Sequence, residues 1–219
     1  MTERVKASNE KRPNRREVAA AETRREILRA ARRIFAEHGY ANTSVHQIAD
    51  EAGVALQTVY TSVGSKATLV LALNDLIDDE AGVSQLAAEL LEETDPSQLI
   101  NKAVHLTRQL NERCGDIVGV MLSAEPAEPD AAAAVADGMR RHQHGASVVA
   151  ERLANLGALQ TDVTEERAAA ALSLMTSPAS WRQLTQGAGW TYDETEAWLA
   201  RSLAQLLLKP KTKRTLSPR

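Results

Sequence analysis

The chain has 219 residues, of which 43% are hydrophobic and 3% aromatic, and its formal net charge is −3 at pH 7. This composition suits one or two small domains of packed helices and argues against a β-sandwich. No apolar run is long enough to span a bilayer, and the charged N-terminus lacks the apolar segment of a secretory signal. We therefore expect an all-α cytoplasmic protein that does not enter a membrane.

The charge is unevenly distributed along the chain. Residues 1–68 contain 12 Lys and Arg against 8 Asp and Glu, whereas residues 69–208 contain 9 against 21. Residues 209–219 form a basic tail with 5 basic side chains and no acidic one. Because a polyanion binds to a basic surface, the N-terminal part is the candidate for contact with nucleic acid.

Two segments are predicted before residue 40, one unstructured and one helical. Residues 1–16 are a basic arm with few apolar side chains, which predicts disorder in the free protein. Its function is left open between an arm that reaches a phosphate or the minor groove of DNA and a solvated tail. An amphipathic helix follows from about Glu17 to His38, and Gly39 ends it. Much of its polar surface consists of Arg24, Arg25, Arg29, Arg32 and Arg33.

The segment from Thr43 to Val63, TSVHQIADEAGVALQTVYTSV, has the pattern of a helix-turn-helix. Its apolar residues recur at i, i+3, i+4 and i+7 in the first helix. Gly53 stands where the chain must turn in a left-handed conformation. Thr43 or Ser44 can cap the first helix, and Ser44 with Gln47 fits a capping box. The pattern predicts a DNA-binding domain over residues 17–68.

Further helices are predicted in a larger domain over residues 69–208. Gly64 and Ser65 separate the motif from a helix that begins at Lys66, and Gly82 marks its interruption or end. The later helices are predicted from Asp95-Pro96 to about Arg113, from Asp116 to Ser123, from Ala131 to Leu156, from Thr164 towards Gln186 with a kink at Pro178, and from a capping box of Asp193 and Glu196 to Pro210.

The stretch FAEHGYANTSVHQIADEAGVALQTVYTSVGSKATLVLAL resembles the N-terminal DNA-binding domain of TetR-family transcriptional regulators. The resemblance implies a homodimer that binds operator DNA through this domain. It also implies a larger helical domain that binds a small-molecule effector and forms the dimer through the last two helices. Two recognition helices then enter successive major grooves of a near-palindrome, and the effector changes their separation.

The resemblance also implies which residues contact DNA. The recognition helix corresponds to Ala55–Thr61, although Ala55 replaces the Ser or Thr that usually caps it. Gln57 is the best candidate for reading a base, because its amide can bond adenine through two atoms. Phosphate or groove contacts are expected from Thr43, Ser44, Leu56, Thr58, Tyr60, Thr61 and Lys66.

An effector pocket is expected between the central helices, with a mainly apolar lining that suits an apolar or amphipathic ligand. The candidate lining residues are Leu73, Ile77, His105, Gln109, Met121, Leu122, Met139, Gln143, Leu174, Met175 and Trp181. Each of these side chains also fits an ordinary helical core.

The chain carries no pattern that predicts catalysis. It has no Gly-rich phosphate loop, no nucleophile elbow and no carboxylate pair with a reason to act as acid and base. His142 and His144 are two residues apart on a predicted helix, so they point to different faces and do not suggest a metal site. Cys114, the single cysteine, fits a small buried residue better than a redox sensor.

We therefore predict a regulator without cofactor, metal or enzymatic activity, most simply a repressor released by its effector. The main alternative is a DNA-binding regulator or nucleoid-associated protein without a small-molecule ligand. A more distant alternative is a helical enzyme with an appended DNA-binding domain.

Overall fold

The computed structural model describes residues 14–210, and over this range the prediction of an all-α protein is confirmed. The α-helices, in chain order, are α1 (Arg15–His38), α2 (Val45–Ala52), α3 (Leu56–Ser62), α4 (Lys66–Glu80), α5 (Val83–Glu92), α6 (Pro96–Ala124), α7 (Pro129–Asn155), α8 (Glu165–Met175), α9 (Pro178–Arg182) and α10 (Tyr192–Leu207). A π-helical turn (Gln183–Gly187) continues α9.

The start of α1 corrects the predicted boundary of the basic arm. Asn14 caps the helix by accepting hydrogen bonds from the backbone amides of Arg16 and Glu17, and the Glu17 carboxylate accepts one from the Asn14 amide in return. Arg15 and Arg16 are therefore helical, not part of a disordered arm. The rest of the predicted arm, residues 1–13, and residues 211–219 of the predicted tail lie outside the described residues.

Two hydrophobic cores follow one another along the molecule. The first joins α1–α4 to the C-terminal half of α6, and it buries Phe35, Ile48, Val59, Leu69 and Ile117. The second lies between α6, α7, α8, α9 and α10, and its largest buried side chains include Leu99, Ile100, Leu153, Trp181, Leu199 and Leu203. The long helix α6 contributes to both cores, so it connects the N-terminal helices rigidly to the rest of the chain.

Several predicted helix boundaries were wrong. The predicted helices from Asp95 to Arg113 and from Asp116 to Ser123 are one helix, α6, which Gly115 does not interrupt. The predicted kink at Pro178 is instead a break: α8 ends at Met175, and Ser177 caps α9. Gly82 is left-handed and separates α4 from α5.

The last helix has a different cap from the predicted one. Thr191 and Glu194 form the capping box, and not Asp193 and Glu196. The Glu194 carboxylate accepts the Thr191 amide at 2.8 Å, and the Glu194 amide donates to the Thr191 hydroxyl at 3.1 Å. The helix ends at Leu207, before Pro210, because the chain there turns to pair with the segment after α7, where the Gln160 amide donates to the Leu207 carbonyl.

Candidate nucleic-acid interface

The first helix of the predicted motif begins at the predicted capping box. The Ser44 hydroxyl accepts a hydrogen bond from the Gln47 amide at 3.3 Å, and the Gln47 side chain accepts the Ser44 amide at 2.8 Å. Ser44 remains exposed at the N-terminus of α2, where backbone amides and the helix dipole favour an anion. The geometry therefore suits Ser44 for contact with a phosphate.

Thr43 does not share this position, which corrects its predicted role. Its side chain is 4% exposed, and its hydroxyl donates to the Gly39 carbonyl at 2.9 Å. The hydroxyl thus closes the turn between α1 and α2, and it is not directed to the surface. Thr43 supports the position of α2 and does not present a phosphate contact.

The turn between α2 and α3 has the predicted left-handed glycine. Gly53 has φ 66° and ψ 29°, and the Val54 amide bonds back to the Ala49 carbonyl at 3.0 Å. Ala49 is 2% exposed, and its side chain is a single methyl group, which takes little space in the packing of α2. The turn fixes the angle at which α3 leaves α2.

Helix α3 has one buried residue and a continuous exposed face. Val59 is fully buried against α1 and α2, and it anchors the helix. Gln57, Tyr60 and Thr61, spaced i, i+3 and i+4, are exposed together. Leu56 is also exposed, whereas Thr58 is half-buried. The helix thus presents the polar surface that the sequence predicted, with Thr58 at its edge.

The fourth helix places Lys66 beside the turn between α1 and α2. Ser65 caps α4 and Lys66 is its first residue. The Lys66 ammonium lies 4.2 Å from the centre of the Tyr40 ring and donates to the Ala41 carbonyl at 3.3 Å. Sequence reasoning did not assign Tyr40 a role in the site, since its contacts depend on residues far away in the chain.

The arginines on the polar surface of α1 lie in ion pairs with neighbouring acidic residues, although their charge alone suggested contact with DNA. Each of the five arginines of its polar surface lies in an ion pair, for example Arg32 with Asp116 at 2.7 Å and Arg33 with Glu51 at 2.6 Å. Arg32 also pairs with Glu80 of α4. The carboxylates of α4 and α6 raise the pKa of Arg32, mainly through its hydrogen bond to Asp116. These arginines therefore join α1 to its neighbours.

The structure does not bring the predicted pocket residues together. Leu73, Ile77 and Met121 are buried in the first core, whereas Trp181 is buried in the second, with Met175 packed against it. The remaining side chains are half-buried or exposed: His105, Gln109, Leu122, Met139, Gln143 and Leu174. The buried members of the predicted lining are thus divided between the two cores.

His105 belongs to a polar cluster between α6 and α10. Its Nδ1 lies 2.9 Å from a Glu196 oxygen, and the Gln109 amide lies 3.2 Å from its Nε2. Arg108 donates to Glu196 at 2.6 Å. A shallow concavity beside this cluster is lined by Asn101, Asp193, Glu196, Ala197 and Ala200, and none of the predicted pocket residues belongs to it.

Other histidines show no arrangement for a metal. His142 Nε2 lies 2.8 Å from the Ser173 carbonyl, and the His144 side chain is exposed on α7. Among residues 14–210, no three His, Cys, Asp or Glu side chains are grouped so that they could hold a metal ion.

Together, the short α2, the glycine turn and the exposed face of α3 define a helix-turn-helix protein. Residues 27–73 match the family model described as bacterial regulatory proteins, tetR family. Over these residues the chain is similar to the TetR family of transcriptional regulators.

The sequence relatives match less than half of the chain. The HTH-type transcriptional regulator TtgR of Pseudomonas putida is 37% identical over 83 residues, which are 38% of this chain and 40% of TtgR. The chain thus aligns with less than half of that relative, and residues beyond the alignment are compared by fold alone.

Solved structures extend the likeness to most of the chain. A TetR-family regulator from Syntrophomonas wolfei has a TM-score of 0.70 and 18% identity, covering 85% of this chain and 95% of the other. A regulator from Saccharomonospora viridis in complex with choline has a TM-score of 0.67 and 22% identity, covering 87% and 100%. At these identities the likeness establishes the shared fold.

Proposed function

We propose that this protein is a cytoplasmic, homodimeric transcriptional regulator that binds near-palindromic operator DNA and acts as a repressor released by a small molecule. The observation that carries the proposal is the exposed face of α3, formed by Gln57, Tyr60 and Thr61, with Val59 buried behind it. A helix held in this way can enter the major groove while its anchor stays in the core.

The proposed DNA contacts divide into base reading and phosphate binding. Gln57 reads a base, and Leu56 and Thr58 at the edge of α3 face the groove. Tyr60, Thr61, Ser44 and Lys66 contact phosphates and fix the helix in its groove. The Thr61 hydroxyl donates to the Gln57 carbonyl at 3.0 Å, so it must rotate away from this carbonyl to donate to a phosphate oxygen.

The proposed homodimer uses the exposed apolar side chains of α8 and α10. Leu174 of α8 is 71% exposed, and on α10 Trp198 is 39% and Leu206 50% exposed. Large apolar side chains on neighbouring helices favour burial against a second copy. A two-fold dimer also provides the two reading heads that a near-palindrome requires.

The proposed effector binds within the helices of the C-terminal domain. This part of the proposal is supported by the fold shared with the Saccharomonospora viridis regulator, which is in complex with choline. The ligand acts by binding more tightly to the arrangement in which the two heads no longer match the operator. The genes next to the selected operator should indicate the chemical class of this ligand.

A second candidate function, a DNA-binding regulator or nucleoid-associated protein without a small-molecule ligand, is favoured by one observation. Three of the large apolar residues predicted to line a pocket, Leu73, Met121 and Trp181, are at most 3% exposed and packed in the cores. Under this alternative, abundance or a protein partner controls the protein.

No described helix is long and apolar enough to cross a membrane.

The experiment that tests the proposal is selection of bound fragments from the source genome at physiological salt, with wild-type protein and Lys66→Ala in parallel. One or a few near-palindromic sites are expected for the wild type. Lys66→Ala should weaken binding to selected and scrambled duplexes alike and reduce the salt dependence of binding, because it removes a phosphate contact. Only diffuse, salt-sensitive binding would support the nucleoid-associated alternative, and no binding would exclude both.

A further inference from the structure

Tyr40 lies between the proposed phosphate-binding lysine and the C-terminal domain. Its side chain is 3% exposed and packs against Phe35, with the two ring centres 5.3 Å apart. Its ring faces the Lys66 ammonium at 4.2 Å, and its hydroxyl donates to the Asp130 carboxylate at 2.9 Å. One buried side chain thus contacts both the first residue of α4 and the second residue of α7.

The ring and a carbonyl together restrict where the Lys66 ammonium can be. A lysine side chain is long and rotates freely, and a phosphate contact must immobilise it. Here the attraction between the ammonium and the ring face, together with the hydrogen bond to Ala41, restricts it before DNA is bound. An ammonium has three donors, so the bond to Ala41 leaves others for phosphate oxygens.

Asp130 holds the other end of Tyr40. It lies in the first turn of α7, where a carboxylate is favoured by the helix dipole. Burial raises the pKa of Tyr40, and the hydrogen bond to Asp130 raises it further, so the hydroxyl remains a donor. Further along, α7 also contacts α4, since the Asn74 side-chain amide donates to the Ala134 carbonyl at 2.9 Å and Arg141 donates to Asp75 at 2.8 Å.

We propose that Tyr40 is a positioning residue for Lys66. Through the hydrogen bond between Tyr40 and Asp130, the affinity for DNA then depends on the position of α7. This inference rests on the proposed function, in which Lys66 contacts a phosphate. Movement of α7 that separates Asp130 from Tyr40 leaves the ring less firmly held and frees the ammonium. The effect is on affinity for every DNA sequence, because no base is read by these residues.

The test is a double-mutant cycle on DNA binding by the full-length protein. Tyr40→Phe keeps the ring and removes the bond to Asp130, and it should weaken binding to selected and scrambled duplexes about fivefold each, the size expected for one buried hydrogen bond. Asp130→Ala breaks the same bond from α7 and should have the same effect. In a Lys66→Ala background, Tyr40→Phe should have almost no further effect, because the two residues act as one unit.

A matched control separates this role from loss of stability. Tyr192 also has a half-buried hydroxyl, which donates to the Asn111 carbonyl at 3.2 Å in the second core. Tyr192→Phe should leave DNA affinity unchanged. If Tyr40→Phe weakens binding as much with Lys66→Ala as without it, the positioning role is wrong. If Lys66→Ala itself leaves binding unchanged, the proposed phosphate contact fails first, and the inference fails with it.

Should Tyr40→Phe fold poorly, Asp130→Ala decides the question alone. It removes a surface carboxylate at the other end of the same bond and leaves the buried ring intact. A circular dichroism spectrum and a urea transition like those of the wild type, with about fivefold weaker binding that disappears in the Lys66→Ala background, support the proposal. An unchanged affinity overturns it.

Discussion

Gln57 is the residue on which sequence preference should depend. It lies on the exposed face of α3, and its amide can bond one adenine through two atoms. Gln57→Ala should lower the preference for the selected operator by about 1–3 kcal/mol at one base pair in each half-site and leave binding to scrambled DNA nearly unchanged. Competition binding with single-base operator variants measures this. Gln85→Ala on the exposed face of α5 is the control, and equal weakening on every sequence would contradict the role.

Cys114 should behave as a packing residue and not as a redox sensor. Its side chain is fully buried in the first core, and burial raises the pKa of its thiol to about 11. Because the thiolate is the reactive form, native protein at pH 8 should resist alkylation by iodoacetamide, while protein unfolded in guanidinium should react readily. Rapid modification of the folded protein, followed by mass spectrometry, would restore the sensor interpretation.

The same pKa shift gives a direction for stability at high pH. The unfolded thiol ionises near its ordinary value of 9.0, below the folded value of about 11, so loss of the proton favours the unfolded chain. The contribution of the buried, protonated thiol to stability is fully present below pH 9 and is lost as the pH rises towards 11. The free energy of unfolding, measured by urea transitions, should therefore fall more between pH 7 and pH 10 for the wild type than for Cys114→Ala. An equal fall in the two proteins would argue against the raised pKa of Cys114.

For single residues, the sequence predicted those roles that depend on neighbours a few positions away in the chain. The bonds between Ser44 and Gln47 follow from a spacing of three residues, and the capping box was confirmed. Thr43 is adjacent and chemically similar, but its hydroxyl bonds to Gly39 across the turn from α1. The packing angle of α1 on α2 decides this, and no local pattern in the sequence contains it.

Among the elements, the turn between α2 and α3 provides a test of backbone conformation. A Cβ at Gly53 meets no atom within 4 Å, but Gly53 has φ +66°, which L-residues rarely adopt. Gly53→Ala should therefore destabilise the protein by about 1 kcal/mol. Gly119, inside α6, also has open space around a Cβ and normal helical geometry. Gly119→Ala should stabilise by about 0.5–1 kcal/mol.

Urea unfolding measures both changes on one scale. Since neither new methyl group has a steric neighbour, opposite signs isolate the effect of the backbone. Two changes of the same sign would show that packing, and not the left-handed turn, decides the cost at Gly53.

The elements themselves were predicted where local signals were unique. Asp95 with Pro96, Ser65 before Lys66 and Thr164 before α8 are all caps in the structure. The predicted break near Gly115 was wrong because Cys114, Ile117 and Met121 bury in the first core and carry α6 past the glycine. The predicted box at Asp193 and Glu196 was wrong because Glu196 bonds to His105 and Arg108 of α6.

In the whole molecule, charge and apolar spacing identified the fold but not the use of each side chain. The excess of arginine in α1 correctly directed attention to the N-terminal part. In the structure, however, these arginines pair with acidic residues as distant in sequence as Asp116. Of the apolar residues predicted to line one pocket, the buried ones are divided between two cores. Contacts between residues far apart in sequence decide both the ion pairs and the membership of each core. Composition gives only the total number of positive and negative side chains.

The proposed dimer leads to a prediction that separates an interface from an ordinary exposed leucine. Leu174 of α8 and Leu206 of α10 are 71% and 50% exposed, and Leu91 of α5 is 56% exposed on another element. If α8 and α10 form the interface, Leu174→Glu with Leu206→Glu should give a monomer, because two carboxylates in each protomer must then be buried in an apolar contact. Leu91→Glu should remain dimeric.

Sedimentation velocity at micromolar concentration distinguishes these species, and binding to the palindrome gives the functional consequence. A monomer presents one reading head, so its affinity for the full palindrome should fall towards that for a half-site, while the Leu91→Glu dimer keeps the wild-type preference. If the double variant remains dimeric and still prefers the palindrome, the two heads are joined through another surface. If Leu91→Glu dissociates as well, α5 contributes to the contact, and the interface extends beyond α8 and α10.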